Sequence, residues 1–235
     1  MPSFSIIIPA YNEEKYLPKT LAFAKKTVEN FTIPGEIIVV DNNSTDNTAE
    51  IVRDFNCKLI FEKHNQIARA RNAGARIANG EYFIFLDADT ILSPELLSAA
   101  LMNLSDGNCC GGGCTIKMDR KLTYLTQKLL NFWNWISVKE SLAAGCFIYC
   151  SREGFEKIGG FSEKVYASEE IWFSRNLSAW GKKQKLDFKI ITNISIITSG
   201  RKLDNKFMLW SSIFTMLLFP FAIFFRRFCS SWYKR

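Results

Sequence analysis

Histidine is nearly absent: His64 is the only one in 235 residues. Imidazole is the commonest metal ligand and a frequent proton carrier, so metal or acid–base chemistry in this chain has to rest on carboxylates or thiols. Long runs of like charge are missing too, except at the end. The last ten residues, RRFCSSWYKR, hold four basic side chains and no acidic one. Part of the formal net charge of +7 therefore belongs to the tail, a pattern that suits anionic lipid headgroups. The remaining sequence mixes both signs without a basic stripe, so nucleic acid is not expected as a partner. There is no internal repeat and no low-complexity linker, and the length is that of one substantial core. C-x-x-C pairs are lacking among the seven cysteines, and no signal-like segment opens the chain. Reduced, buried thiols in a cytosolic compartment are the expectation, in preference to disulfides or structural zinc.

What the chain does have is alternation. Phe4–Ile8, the buried run Ile37–Val40, CKLIFEK and EYFIFL read as strands, and Phe83–Leu86, apolar without alternation, as one covered on both faces. Helical stretches separate them. The first starts near Glu14, the second is capped by Ser44 or Thr45, and the third, QIARARNAGARIANG, is closed by Gly80. Such alternation predicts an α/β fold with a mainly parallel sheet flanked by helices. The second half is less regular. The run Gly111–Gly113 predicts backbone lying close to a ligand or another strand. LTYLTQKLLNFWNWISV reads as a helix with Trp133 and Trp135 near a surface. AAGCFIYCSREGFEKIGGF gives a strand, a short helix and a glycine turn. ASEEIWFSRNLSAWGKK gives a helix capped by Ser168 and stopped by Gly181.

Polar residues gather where these strands end, at Pro9–Glu13, Asp41–Asn43 and Asp87–Asp89, and the carboxyl edge of a parallel sheet is where ligands bind. Asp87 and Asp89 follow the apolar Phe83–Leu86 run directly. Two carboxylates so placed either solvate a turn or hold a cation. Beyond residue 204, Phe207–Phe225 carries no charged residue over 19 positions, within the roughly 17–25 residues that cross a bilayer. Arg201, Lys202 and Lys206 precede it, and Arg226 and Arg227 follow. One cationic flank of a single span would break the positive-inside tendency. A spanning helix and an in-plane helix both remain open. We divide the chain into residues 1–204 and a hydrophobic, basic, membrane-associated segment, 205–235.

SIIIPAYNEEKYL, IIVVDNNSTDNTAEI, ARARNAGARIANGEYFIFLDADT and GCFIYCSREGFEKIGGF with SEEIWF occur in the order seen in family 2 glycosyltransferases. The chain resembles those inverting, nucleotide-sugar-dependent enzymes of the GT-A fold over about residues 3–200. The resemblance implies a donor site at Pro9, Ala10, Tyr11, Glu13, Asp41, Asn43, Arg71, Asp87 and Ala88. Arg69 and Asn72 are weaker members, and His64 is a rim residue. It implies Mg²⁺ or Mn²⁺ at Asp89 and Asp87, and a general base in the acidic pair Glu169–Glu170, assigned to Glu170. The family usually carries Glu-Asp there, so the second acid reaches one methylene further. Arg201 and Lys202 could close over diphosphate, while Trp172 and Trp180 read as packing. A basic, glycine-rich loop after the first strand, as a nucleotidyltransferase would show, is replaced by acidic PAYNEE. The resulting expectation is sugar transfer from a nucleotide sugar, UDP-linked by preference, to a lipid-linked or polysaccharide acceptor at the cytosolic membrane face. The alternative is a non-catalytic nucleotide-sugar-binding subunit.

Overall fold

A computed structural model describes residues 3–203; the Phe207–Phe225 segment and the basic tail lie outside the described residues. In chain order the elements are β1 (Phe4–Ala10), α1 (Leu17–Glu29), β2 (Gly35–Asp41), α2 (Thr48–Asp54), β3 (Lys58–Phe61), α3 (Ile67–Ile77), β4 (Tyr82–Leu86), β5 (Thr90–Ile91), α4 (Pro94–Ser105), β6 (Cys109–Met118), α5 (Tyr124–Glu140), β7 (Phe147–Ser151), α6 (Arg152–Ile158), α7 (Glu169–Lys183) and β8 (Asp187–Thr198). A 3₁₀ turn, Gly200–Leu203, follows.

The strands form one eight-stranded sheet in the order β3-β2-β1-β4-β7-β6-β8-β5. β1 to β4 run parallel, β7 is antiparallel to both neighbours, β6 and β8 are parallel, and β5 returns antiparallel along β8. This topology brings the carboxyl ends of β1, β2, β4, β6 and β8 to one edge. Because β7 runs the other way, Phe147 at its start pairs with Leu86 at the end of β4. The loop before β7 therefore reaches that edge as well.

All seven residues of β1 are buried, as a run without alternation requires when both faces are covered. Ile6 and Ile8 pack with Leu17 and Leu21 of α1 and with Leu97 and Leu101 of α4. On the other face, Ile7 and Phe85 meet the alanines of α3 together with Phe155, Phe173 and Leu177. Phe161 lies between Phe85 and Phe173, with ring centroids 4.9 and 4.2 Å away.

Gly112 answers the glycine-run expectation: a Cβ there would stand 1.8 Å from the Lys189 carbonyl oxygen across the β6–β8 pairing. Gly112→Ala is expected to destabilise the fold by at least about 2 kcal/mol through overpacking. A drop in the urea midpoint with an unchanged m-value would show it.

Several boundaries differ from expectation. Asp41 Oδ1 accepts from the Ser44 backbone amide at 3.0 Å, and Ser44 Oγ accepts from Asn12 N at 3.0 Å. These bonds commit Ser44 to the loop, so α2 starts only at Thr48, whose amide is taken by Asp46 Oδ1 at 3.0 Å. α1 begins at Leu17 rather than near Glu14, with a proline in its first turn. α3 ends at Ile77, before Gly80, which abuts the Phe4 backbone. Gly181 does not stop α7; it lies inside the helix because only a hydrogen fits against Cys110 Sγ. Ser168 precedes α7 with φ of 60° and gives no side-chain cap. α4, capped by Ser93 Oγ accepting from Leu96 N, and the two-residue β5 were not anticipated. Among the described residues no helix is long and apolar enough to cross a membrane. Cys109, Cys110, Cys114, Cys146 and Cys150 are buried free thiols. Burial pushes Cys110 and Cys114 up to about 12, so both stay protonated at neutral pH.

Candidate functional site

A cavity of about 350 Å³ opens at the carboxyl edge of the sheet. Its floor is Pro9, Ala10 and Tyr11 from the end of β1, with Asp87 and Asp89 just beyond β4. Glu169 and Glu170 enter from the start of α7, and Arg71 rises from α3. The far wall is made by Ile116 and Met118 of β6 and Trp133 of α5.

Arg71 organises this acidic surface. It is 1% exposed, and its guanidinium is shared among three oxygens. Nη1 donates to Glu169 Oε1 at 2.8 Å, while Nη2 donates to Asp87 Oδ1 at 3.1 Å and to the Gly145 carbonyl at 2.8 Å. Its Cζ lies 5.0 Å from the centre of the Phe161 ring. Burial works against the charge, but Glu169, Asp87 and Glu170 together outweigh it and hold the guanidinium protonated. Arg71, one of three arginines in α3 and expected at the donor site, is thus a buried hub that lines the cavity.

The two acids of α7 have separate fates. Glu169 is buried against Arg71. Glu170 faces the cavity, and its carboxyl is pushed up to about 8, first by burial and next by the charge of Glu169. Its backbone hydrogen bond and Arg71 pull the other way without compensating. A carboxyl balanced near neutrality is what proton abstraction at that pH demands.

Asp89 Oδ2 lies 3.0 Å from Arg201 Nη2. The same guanidinium grips Glu13, with Nη1 donating to Oε2 at 2.8 Å, and its Cζ sits 4.4 Å from the Tyr16 ring centre. Glu13, expected at the donor, has its carboxylate buried in this ion pair and away from the cavity lining. Among the described residues no group of three or more His, Cys, Asp or Glu side chains is placed to hold a metal ion. The donor set that does face the cavity, Asp87 and Asp89, is hard oxygen of the kind Mg²⁺ and Mn²⁺ take. These ions ordinarily bind through one or two carboxylates and fill the remaining positions with phosphate oxygens and water. The residues fit such an ion: Asp89, aided by Asp87, would hold it, and it would supply Lewis-acid stabilisation of a leaving diphosphate.

Other expected residues lie elsewhere. Asp41 is buried and accepts the Ser44 amide bond without lining the cavity, and Asn43 is exposed with φ of 69°. Between them Asn42, part of the expected polar strand end but not of the implied donor site, does line it. Asn42 Nδ2 donates to the carbonyls of Glu62 and His64, and Oδ1 accepts from Gln66 N at 2.9 Å. Ala88 is buried, its carbonyl accepting from Thr20 Oγ1 at 2.8 Å. Arg69 pairs with Glu163, and Asn72 holds the Phe161 backbone by bonds in both directions. Neither lines the cavity. His64 stands exposed near Glu62, Trp180 packs on the core, and Trp172 is exposed. Tyr166 and Ser199, not singled out in the sequence, line the cavity from loops, and so does Gly145 at the start of GCFIYC.

Solved structures share this architecture. A mannosyltransferase from Pyrobaculum calidifontis, in complex with GDP-Man and Mn²⁺, superposes with a TM-score of 0.69 at 23% identity, covering 89% of this chain and 60% of that one. Residues 1–349 of TarS from Staphylococcus aureus give 0.63 at 21% identity, covering 92% and 66%. The fold is GT-A-like, an α/β arrangement with a mostly parallel sheet flanked by helices. The profile of glycosyl transferase family 2 matches residues 5–159, and the chain belongs to that family. An uncharacterised glycosyltransferase of Haemophilus influenzae is 35% identical over 146 residues, 54% of this chain and 57% of that protein. A validoxylamine A glucosyltransferase of Streptomyces hygroscopicus subsp. limoneus is 34% identical over 110 residues, 43% of this chain and 23% of its own length. The chain therefore spans between about a quarter and three-fifths of these curated relatives.

Proposed function

We propose that this protein is an inverting glycosyltransferase that moves a sugar from a nucleotide-sugar donor, UDP-linked by preference, to a lipid-linked or polysaccharide acceptor at the cytosolic face of a membrane. One observation carries the reading: Glu170, with its carboxyl raised toward neutrality, faces the same cavity as Asp87 and Asp89. A base and an anion-managing carboxylate pair are the two things a single-displacement sugar transfer needs. Glu170 takes the proton of the acceptor hydroxyl as that oxygen attacks the anomeric carbon. The nucleoside diphosphate departs as the new bond forms; Asp89, aided by Asp87, would hold a divalent cation that would stabilise its charge, and Arg71 keeps Asp87 and Glu169 fixed. Solved relatives support the donor class: TarS structures contain UDP and UDP-GlcNAc, and the archaeal mannosyltransferase contains GDP-Man. The acceptor class is supported by the uncharged Phe207–Phe225 run and the basic tail.

The test is a panel of nucleotide sugars, scored by thermal shift and by donor hydrolysis with and without Mn²⁺. Only a ligand bound by the folded state raises the melting temperature. Asp89→Asn is expected to remove the Mn²⁺-dependent part of the shift and to lower turnover by about 100- to 1000-fold, the usual loss when one electrostatic stabiliser of a transition state is removed. Wild-type turnover in that variant would remove Asp89 from the metal role. A donor that stabilises the protein but is never consumed would mark a binding subunit.

A further inference from the structure

We propose that α5 is an in-plane membrane helix that lays its outer face on an anionic lipid surface and thereby holds the cavity it walls at the bilayer. This inference rests on the glycosyltransferase reading only for the purpose it gives the docking; the surface itself is argued from the helix.

α5 divides along its length. Its inner side is pinned to the domain: Asn134 accepts from Ile116 N at 3.0 Å and donates to the Ile116 carbonyl at 3.1 Å, and Ser137 Oγ donates to the Leu142 carbonyl at 2.6 Å. Leu130 and Trp133 pack on the core from this side, and Trp133 lines the cavity. The opposite side is apolar and uncovered. Tyr124 is 77% exposed, Leu125 59%, Phe132 57% and Trp135 55%, with Leu129 and Val138 also exposed. At 100° per residue these six fall on one half of the helix. That is far more than the isolated apolar residues an ordinary surface tolerates.

Charge identifies the occupant. Lys128 and Lys139 lie within the apolar half, their ammonium groups 4.6 and 4.9 Å from the ring centres of Tyr124 and Trp135. Glu140, the last residue, is the only acid of the helix. Aromatic rings with lysines running along them are suited to the headgroup boundary, where the rings sink and the ammonium ends reach anionic phosphates. Chain continuity agrees. The turn that ends at Leu203 is tied to the segment leading into α5, with Asp119 N donating to the Thr198 carbonyl and Asp119 Oδ1 accepting from Gly200 N at 3.0 Å. The last described residues, Gly200–Leu203, are thus tied to the segment that leads into α5. Trp133 forms cavity wall on the inner side of the same helix, so a helix seated on the lipid surface holds the cavity beside it.

The experiment uses the full chain with Cys57 and Cys229 changed to serine, leaving the five buried thiols. An environment-sensitive fluorophore is attached at Phe132→Cys, and at Lys157→Cys on α6 as the control. With vesicles of phosphatidylglycerol and phosphatidylcholine in equal parts, the probe at 132 is expected to shift to the blue and to be quenched by spin-labelled lipid, while the probe at 157 is not. Changing Lys128 and Lys139 together to glutamine is expected to raise the lipid concentration needed for that shift by about 30-fold, at roughly fivefold per surface lysine. Vesicle binding without any response at 132 would overturn the proposal and leave attachment to the tail alone. A blue shift already present without vesicles would overturn it in favour of a second copy or of residues 207–225 covering the face. The donor-dependent thermal shift, read on the same labelled protein, tests the glycosyltransferase reading separately.

Discussion

Glu170→Gln is expected to lower sugar transfer by about 100- to 10,000-fold, the range that general-base catalysis contributes, while donor still raises the melting temperature as in the wild type. Gln keeps the shape and the partners of a protonated Glu but cannot accept a proton. The wild-type rate should rise with pH through a limb near 8, where the Glu170 carboxyl ionises, and the variant should lose that limb. Stability supplies a second readout with its own sign. In the folded protein the carboxyl is raised to about 8; in the unfolded chain it ionises near about 4.3. Between those values the folded state keeps a proton that the unfolded state has released, so the wild type loses stability as pH rises through this window. The variant has no such proton. Its melting temperature should match the wild type in acid and exceed it increasingly up to about pH 8. A variant that loses donor binding and keeps residual transfer would place the base elsewhere.

Arg71→Met is expected to cost about 3–5 kcal/mol, because it leaves buried carboxylates without their counter-ion. Glu169, Asp87 and the Gly145 carbonyl lose their donors at once. A fall in the urea midpoint at constant m-value would measure it. Arg71→Lys should recover only part, since one ammonium cannot serve three oxygens held at fixed fork angles. For Arg71→Met the activity limb of Glu170 should move to higher pH, because the guanidinium charge is one of the groups that pull its carboxyl down, whereas Arg71→Lys keeps a positive charge and should move it less. A stability loss without any displacement of the pH profile would make Arg71 a scaffold residue alone.

Much of the architecture could be read before any coordinates. Phe4–Ile8 and Phe83–Leu86 are buried strands because uninterrupted apolar runs leave no face for water, and β1 and β4 pair in parallel as the intervening helices require. The placement of Asp87 and Asp89 at the sheet edge followed from that alone. Gly112 was legible for a similar reason: a run of glycines in a strand has few uses besides close backbone approach. Local signals failed where a side chain answered to a distant partner. Ser44 looked like a helix cap until Asn12, from another loop, used its hydroxyl. Gly181 looked like a helix stop until Cys110 was found against it.

The division within the site follows the same line. Residue type and order determined that carboxylates gather where the strands end and that an acidic pair opens a late helix, because strand and helix periods are local properties of the chain. Sequence alone did not say which acid of that pair is free. Arg71 reaches Glu169 over a sequence separation of 98, and that pairing leaves Glu170 as the acid of the two not bonded to the guanidinium. The pairing of Arg201 with Glu13 spans 188 positions. Charges meeting at such separations are set by how the whole sheet closes, and their protonation is set by the burial that closure imposes; neither is written in a local pattern.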